Sequence, residues 1–253
     1  MNLTGNTILV TGGGSGIGRG LAEALHQLGN QVVIPGRRQS VLDETTVANP
    51  GMKSLPLDIE SPAAIRAFAA QLVADFPSLN VLINNAGIMR AENLRAQQPD
   101  LADAESIVTT NLLGPIRLTA ALLPHLERQS HATIFNISSG LAFVPLVFTP
   151  TYCATKAAIH SYTQSLRYQL KSTSIEVLEL IPPYVQTQLM DGAADPRAMP
   201  LAAFIAEVME ILNTEPTPPE ICVQNVGNLR LAAEQGRHDA TFNGLNSAMA
   251  SRF

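Results

Sequence analysis

The sequence predicts an α/β protein: one domain, residues 1–253, built on a doubly wound parallel sheet of about seven strands with helices on both faces. Three observations carry this. Short apolar runs alternate with longer segments of helical period along the chain, the pattern of repeated strand-helix units. Most of the runs end where glycine or polar residues begin, as strands do at a ligand-binding edge. The length, 253 residues with 46% hydrophobic content, is enough to fill one sizeable core.

In chain order, the strands are read at Thr7 to Thr11, Gln31 to Ile34, Ser54 to Leu57, Val81 to Asn84, Thr133 to Ser138, Ile175 to Ile181 and Ile221 to Gln224. Ser61 followed by Pro62 is a helix-opening pair, a hydroxyl cap and a residue whose missing N–H costs nothing in the first turn, and it starts a helix toward Asp75. Asn111 to Gln129 is a second helix, with Gly114 and Pro115 expected to bend it. Thr187 to Pro200 is rich in Gly, Pro, Asp and Ala, so a mobile lid is expected near 187–205.

Composition narrows the function classes. Sixteen Lys plus Arg against 21 Asp plus Glu leave a formal charge of −5, which offers no broad attraction to nucleic acid or anionic lipid, and neither is an expected partner. The N-terminus reads straight into a strand without a basic leader or long apolar run, so a cytoplasmic location is expected. Cys153 and Cys222 are too few for a disulfide framework, and the five histidines show no paired spacing, so no metal is implied. A charged content of 15% is sparse for an exposed monomer and suggests surface buried between subunits.

The first strand runs into Thr11-Gly12-Gly13-Gly14-Ser15-Gly16-Ile17-Gly18, and the helix it opens continues through Leu21, Leu25 and Leu28. A glycine cluster alone is only a tight turn. Between a first strand and a helix, glycines let the backbone approach a pyrophosphate while the helix N-terminus supplies unpaired N–H groups and a positive dipole end. The spacing Gly-x-x-x-Gly-x-Gly (Gly12, Gly16, Gly18) resembles that of the short-chain dehydrogenase/reductase family, a Rossmann-fold family. In that resemblance Ile17 lends its backbone to the pyrophosphate.

An acid at the end of the second strand would hold a ribose 2′-hydroxyl, whereas a 2′-phosphate needs cations. Here the stretch is Ile34-Pro35-Gly36-Arg37-Arg38, with no acid before Asp43, so NADP(H) is favoured. Arg37 is the candidate for the phosphate, Arg38 for stacking on adenine, and Ser15 for a further hydrogen bond. Asp58 and Asn85-Ala86-Gly87 match the family's landmarks after the third and fourth strands. The resemblance implies that Asp58 accepts from the adenine amino group, that Asn85 holds a strand end beside the ribose, and that Ala86 and Gly87 let the backbone run close to the adenosine half.

Tyr152 and Lys156 lie four apart on one helix face, so their head groups can share a site. A phenol with an ordinary pKa near ~10 exchanges protons poorly near neutrality, and an adjacent ammonium favours its phenolate. Ser139 stands thirteen residues before Tyr152, the separation the family shows, with Ser138 the alternative; strand alternation lets only one of the two face the site. Asn111 matches the family asparagine whose backbone holds water in a proton relay through Lys156. Pro182-Pro183-Tyr184-Val185-Gln186-Thr187 resembles the segment from which Val185 and Thr187 contact the carboxamide, with Pro183 replacing the usual glycine.

The resemblance therefore implies an NADPH-dependent carbonyl reductase or alcohol dehydrogenase acting on a small-molecule carbonyl or alcohol, as a homodimer or homotetramer. Tyr152 is the proton donor, Lys156 lowers its pKa and binds the nicotinamide ribose, and Ser139 steadies the oxygen. Leu189, Met190 and Met199, with the strip Leu141 to Pro145, are candidate walls for an apolar or aromatic substrate. A redox sensor that binds NADP(H) without turnover is the alternative. The tail with Val226-Gly227-Asn228-Leu229-Arg230 looks similar to members named after teichoic-acid D-alanylation operons.

Overall fold

In the computed structural model, which describes residues 1–96, 101–189 and 195–249, each predicted apolar run becomes a parallel strand of one sheet. The strands are β1 (Thr7–Val10), β2 (Gln31–Gly36), β3 (Lys53–Pro56), β4 (Leu79–Asn84), β5 (Ala132–Ile137), β6 (Ile175–Leu180) and β7 (Glu220–Ile221). Their order is β3-β2-β1-β4-β5-β6-β7, so the direction of winding reverses between β1 and β4, and the crevice at the carboxyl ends of those two strands is where such sheets bind ligands. The seventh strand keeps only two residues; Gln224 belongs instead to a short 3-10 turn, Gln224–Val226.

The strands are apolar on successive residues because both faces are covered. One face, with Ile8, Val32, Val81, Phe135 and Leu178, packs under α1 (Gly16–Gln27) and α7 (Leu201–Leu212); α2 (Gln39–Ala48) adds Leu42 to it. The other, with Leu9, Val33, Leu82, Ile134 and Val177, packs under α3 (Pro62–Asp75), α5 (Gly114–Leu126) and α6 (Pro150–Gln169). Ser61 caps α3 as expected, its hydroxyl oxygen accepting from the Ala64 N–H at 3.2 Å.

Two segments differ from expectation. The helix expected from Asn111 begins earlier, with α4 (Ala102–Val108), and passes through one π turn, Thr109–Leu113, into α5. Proline has no N–H to give the carbonyl four residues back, so Pro115 leaves the Asn111 carbonyl without its usual helical donor where the π turn passes into α5. The combined helix, Ala102–Leu126, is long and apolar enough to cross a membrane by composition, yet Leu118, Leu122 and Leu126 are buried against the sheet. The second is the expected lid. Its last residues are helix: α7 starts at Leu201, and Leu201, Phe204, Ile205 and Val208 recur at helical spacing and pack into the core. Met190 lies outside the described residues. Two helices near the C-terminus, α8 (Gly227–Arg230) and α9 (His238–Met249), complete the chain.

Candidate active site

The loop after β1 is shaped by contacts with the loop after β4. Thr11 Oγ1 accepts from the N–H groups of Asn85 (2.9 Å) and Ala86 (3.0 Å) and donates to the Ile83 carbonyl. Asn85 Nδ2 donates back to the Thr11 carbonyl at 2.9 Å. Asn85 thus fastens the glycine turn to the neighbouring strand. Gly12 and Gly16 sit at φ +68° and +53°, where a side chain is strained. Gly18 has helical φ, but a Cβ there would lie 2.3 Å from Asn85 Nδ2 and 2.4 Å from the Gly12 carbonyl oxygen. The helix comes this close to the turn only because position 18 has no side chain.

Ser15 caps α1 without spending its hydroxyl on the helix, and the first intrahelical bond runs from Arg19 N to Ser15 O. Helix geometry therefore leaves the N–H groups of Gly16, Ile17 and Gly18 without intrahelical acceptors. Gly16 and Ile17 stand at one end of a cavity of about 600 Å³ lined there also by Gly12, Ser15, Arg37 and Arg38. Asn85, Ala86, Gly87, Val185 and Thr187 continue the wall toward Ser139, Tyr152 and Lys156. These elements form the two halves of a single elongated site.

Three expected site residues do not line it. Gly18 lies behind the turn, in the role just described. Asp58 is exposed and turns its Oδ1 to the Glu60 N–H at 3.1 Å, closing the turn before Ser61; Leu57 and Ile59 face the cavity in its place. Asn111 is buried within the π turn, where its amide exchanges two 2.8 Å hydrogen bonds with the backbone of Ile88, so its side chain braces the wall of the site. Arg37 lines the cavity but is ion-paired with Glu60 (3.1 Å), whose same oxygen accepts from Thr110 Oγ1 at 3.0 Å. No motif in the sequence marks Glu60, although it stands only two residues beyond Asp58.

At the other end both serines after β5 border the cavity, and their hydrogen-bond partners tell them apart. Ser138 donates to Glu179 Oε1 at 2.5 Å, so its hydroxyl is committed to that carboxylate. Ser139, the next residue, has different partners: its oxygen accepts from the Leu141 N–H at 3.1 Å and its hydroxyl donates to the Tyr152 oxygen. Burial pushes the Tyr152 phenol above its ordinary value, the Ser139 hydrogen bond pulls it down, and burial wins. Lys156 donates to the Ile137 carbonyl at 2.8 Å, with Nζ 5.6 Å from the centre of the Tyr152 ring. Burial lowers its ammonium to about 8, opposed by the carboxylate of Glu179. In the protein alone, then, the group that lowers Tyr152 is Ser139 rather than the expected Lys156.

Residues 6–198 match the family model described as short chain dehydrogenase. The chain belongs to that family of oxidoreductases. Over 207 residues it is 39% identical to a Bacillus subtilis protein called uncharacterized oxidoreductase DltE, covering 82% of each chain, which agrees with the tail's likeness to members named after teichoic-acid operons. A short-chain dehydrogenase from Sphingobium yanoikuyae in complex with NADPH superposes with a TM-score of 0.78 at 26% identity, covering 96% of this chain and 95% of that one. A 3-ketoacyl-(acyl-carrier-protein) reductase from Brucella melitensis complexed with NADH gives 0.76 at 26% identity, covering 85% and 93%.

Within this short-chain dehydrogenase, several wall residues carry no sequence signal of their own. Met89 and Leu146 lie beside Tyr152, and Leu229, Leu245 and Met249 reach the cavity from α8 and α9. Of the strip Leu141 to Pro145 only Leu141 reaches the cavity wall; Val144 is fully buried, and Phe143 packs edge-on to His160 with Arg230 over its ring. Leu189 lines the cavity, whereas Met199 packs against the core and bridges Val185. His160, Glu179 and Glu220 are near enough to share a cation, but Glu179 already accepts from Ser138 and His160, and Glu220 from Arg230.

The lysine makes a stability prediction. Between pH 8 and 10.5 the unfolded chain keeps the Lys156 proton that the folded chain has released, so unfolding takes up a proton and stability rises with pH through that window. Below pH 8 both states are protonated and the cost of the buried ammonium is fully present. Relative to Lys156→Met, the native protein is expected to gain about 3 kcal/mol between pH 7.5 and 10.5. Urea unfolding of both proteins across that range checks this; parallel curves would show that the ammonium is not buried at this cost.

Proposed function

We propose that this short-chain dehydrogenase is an NADPH-dependent carbonyl reductase that acts on an aldehyde or ketone, and on the corresponding alcohol in reverse. The observation that carries the reading is that Ser139, Tyr152 and Lys156 meet at one end of a cavity whose other end is the glycine turn with Arg37 and Arg38. The fit to a dinucleotide rests on this chain's own features: a turn that a Cβ at position 18 would break, a cap hydroxyl not spent on the helix, and a helix N-terminus whose Gly16 and Ile17 line the cavity.

When bound there, NADPH supplies the hydride that reaches the carbonyl carbon. Tyr152 gives its proton to the carbonyl oxygen, so that carbonyl, hydride and proton together make the alcohol. Ser139 hydrogen-bonds the same oxygen while its negative charge develops. Lys156, held on the Ile137 carbonyl next to the site, binds the nicotinamide ribose and favours the phenolate that Tyr152 becomes. The Asn111 carbonyl, denied a helical donor by Pro115, is suited to hold the water through which Lys156 returns a proton to Tyr152.

Arg37 is the residue assigned to the 2′-phosphate. A phosphate must compete with Glu60 for this guanidinium, and the group is exposed, so the gain is smaller than for a buried pair. Arg37→Ala is expected to weaken NADPH binding about tenfold and NADH binding little. Fluorescence titration with both cofactors checks it; equal losses would remove Arg37 as the selector. We further assign the protein to the cytoplasm as a homo-oligomer of one-domain subunits, the oligomer being supported by a charged content of only 15%.

A further inference from the structure

Helix α9 has no fully buried residue, yet it lies on the molecule along one stripe. His238, Thr241, Phe242, Leu245, Asn246 and Met249 are its half-covered positions, the spacing of a helix resting on a surface. On that stripe Leu245 and Met249 pack against the cluster of Met89, Ile107, Leu146, Tyr152 and Cys153, and both line the cavity. The helix is fastened by polar bonds on two sides. Asn246 Oδ1 accepts from the Val147 N–H at 2.8 Å, and its Nδ2 donates to the Pro145 carbonyl at 3.1 Å. Toward the helix end, the Ala248 carbonyl accepts from Arg197 Nη1 at 2.9 Å, and Arg197 is itself ion-paired with Asp195. Thus α9 spans from the loop after β5 to the segment before α7, on the side of the cavity where Tyr152 stands.

We propose that α9 is the specificity wall of the substrate half of the cavity, and that Leu245 and Met249 select a carbonyl compound carrying an elongated apolar tail. The facing side chains are Leu141, Leu146 and Leu229, and no acidic side chain lines the cavity among the described residues. A tail lying between these walls leaves water along its length, which favours binding by about fourfold per methylene covered. A short or strongly polar carbonyl compound has nothing to gain there. Asn246 is a positioning residue, since it touches no substrate surface and holds the apolar face of α9 inward. The inference takes from the reductase reading only which end of the substrate reacts; the wall itself is a matter of binding.

The test reads two quantities on the purified chain with NADPH: kcat/KM for straight-chain aldehydes from propanal to decanal, and the Kd of decan-1-ol by calorimetry, which needs no turnover. The native protein is expected to show kcat/KM climbing with chain length and to bind decanol. Leu245→Asp places a charge in the wall and is expected to flatten the climb and weaken decanol at least tenfold. Leu245→Trp keeps the wall apolar but fills it, and is expected to move the best substrate to a shorter chain, so the result does not hang on one variant folding. Native length dependence and native decanol affinity retained in both variants would overturn the proposal, as would a native protein that neither climbs nor binds decanol. If decanol binds through Leu245 while no aldehyde is turned over, the wall stands and the reductase reading falls.

Discussion

Tyr152→Phe is expected to cut carbonyl reduction about a thousandfold or more while changing NADPH affinity little. The substitution removes one oxygen from a buried ring and leaves the packing of Met89, Leu146 and Cys153 around it in place. What is lost is the only hydroxyl proton the proposed mechanism can deliver to the carbonyl oxygen, and positioned proton donors contribute roughly 10²- to 10⁴-fold. The Ser139 hydroxyl, which donates to the tyrosine oxygen, keeps its own hydrogen bond from Leu141 N–H and still reaches substrate, so some stabilisation of the oxygen survives. Single-turnover measurements with saturating NADPH separate the two effects: a large fall in the chemical step with a preserved Kd is the expected result. A variant that reduces aldehydes at the native rate would remove Tyr152 from proton transfer.

Gly18→Ala is expected to damage the cofactor half instead, and its sign is decided by a competition. Alanine in a helix normally stabilises by about 1 kcal/mol over glycine. Here its methyl would enter space held by Asn85 Nδ2 at 2.3 Å and the Gly12 carbonyl oxygen at 2.4 Å. The amide could swing away, but only by giving up its 2.9 Å bond to Thr11, and the carbonyl is backbone and cannot move without the turn. Overpacking of this kind costs about 2 kcal/mol, so the net change is destabilising, roughly a few degrees in melting temperature for a chain of this size. Because the turn itself is displaced, NADPH affinity should fall more than tenfold, and calorimetric titration beside thermal melting would show both. An unchanged affinity would mean that the phosphates do not sit on this turn.

The two substitutions act at opposite ends of one cavity, and together they separate the roles assigned to its halves. Loss of turnover with intact cofactor binding belongs to the Ser139, Tyr152 and Lys156 end. Loss of binding belongs to the glycine turn and Arg37. Glu179 stands behind the Lys156 end as a fully buried carboxylate paired with His160 and Ser138, and its charge is what opposes the lowering of Lys156.

The sheet of alternating strands and helices, the glycine turn and the Tyr152 and Lys156 pair are legible in the chain, because each is written in short-range spacing: apolar periods, a glycine cluster after a strand, two residues one helical turn apart. The sequence also narrows the serine to two adjacent candidates. The packing of β5 against β6 and α6 separates them, since it commits Ser138 to Glu179 and leaves Ser139 for Tyr152. Tertiary structure likewise turned Asp58 away from the cavity, set Glu60 on Arg37, and placed Leu245 and Met249 beside Tyr152 from nearly a hundred residues further along the chain. These outcomes depend on which surfaces meet when the chain folds back on itself, and no local pattern encodes that. The signals nearest the proposed chemistry are local because the glycine turn and the helix of Tyr152 and Lys156 are pre-shaped by their own backbones; the proposed substrate walls are assembled from afar.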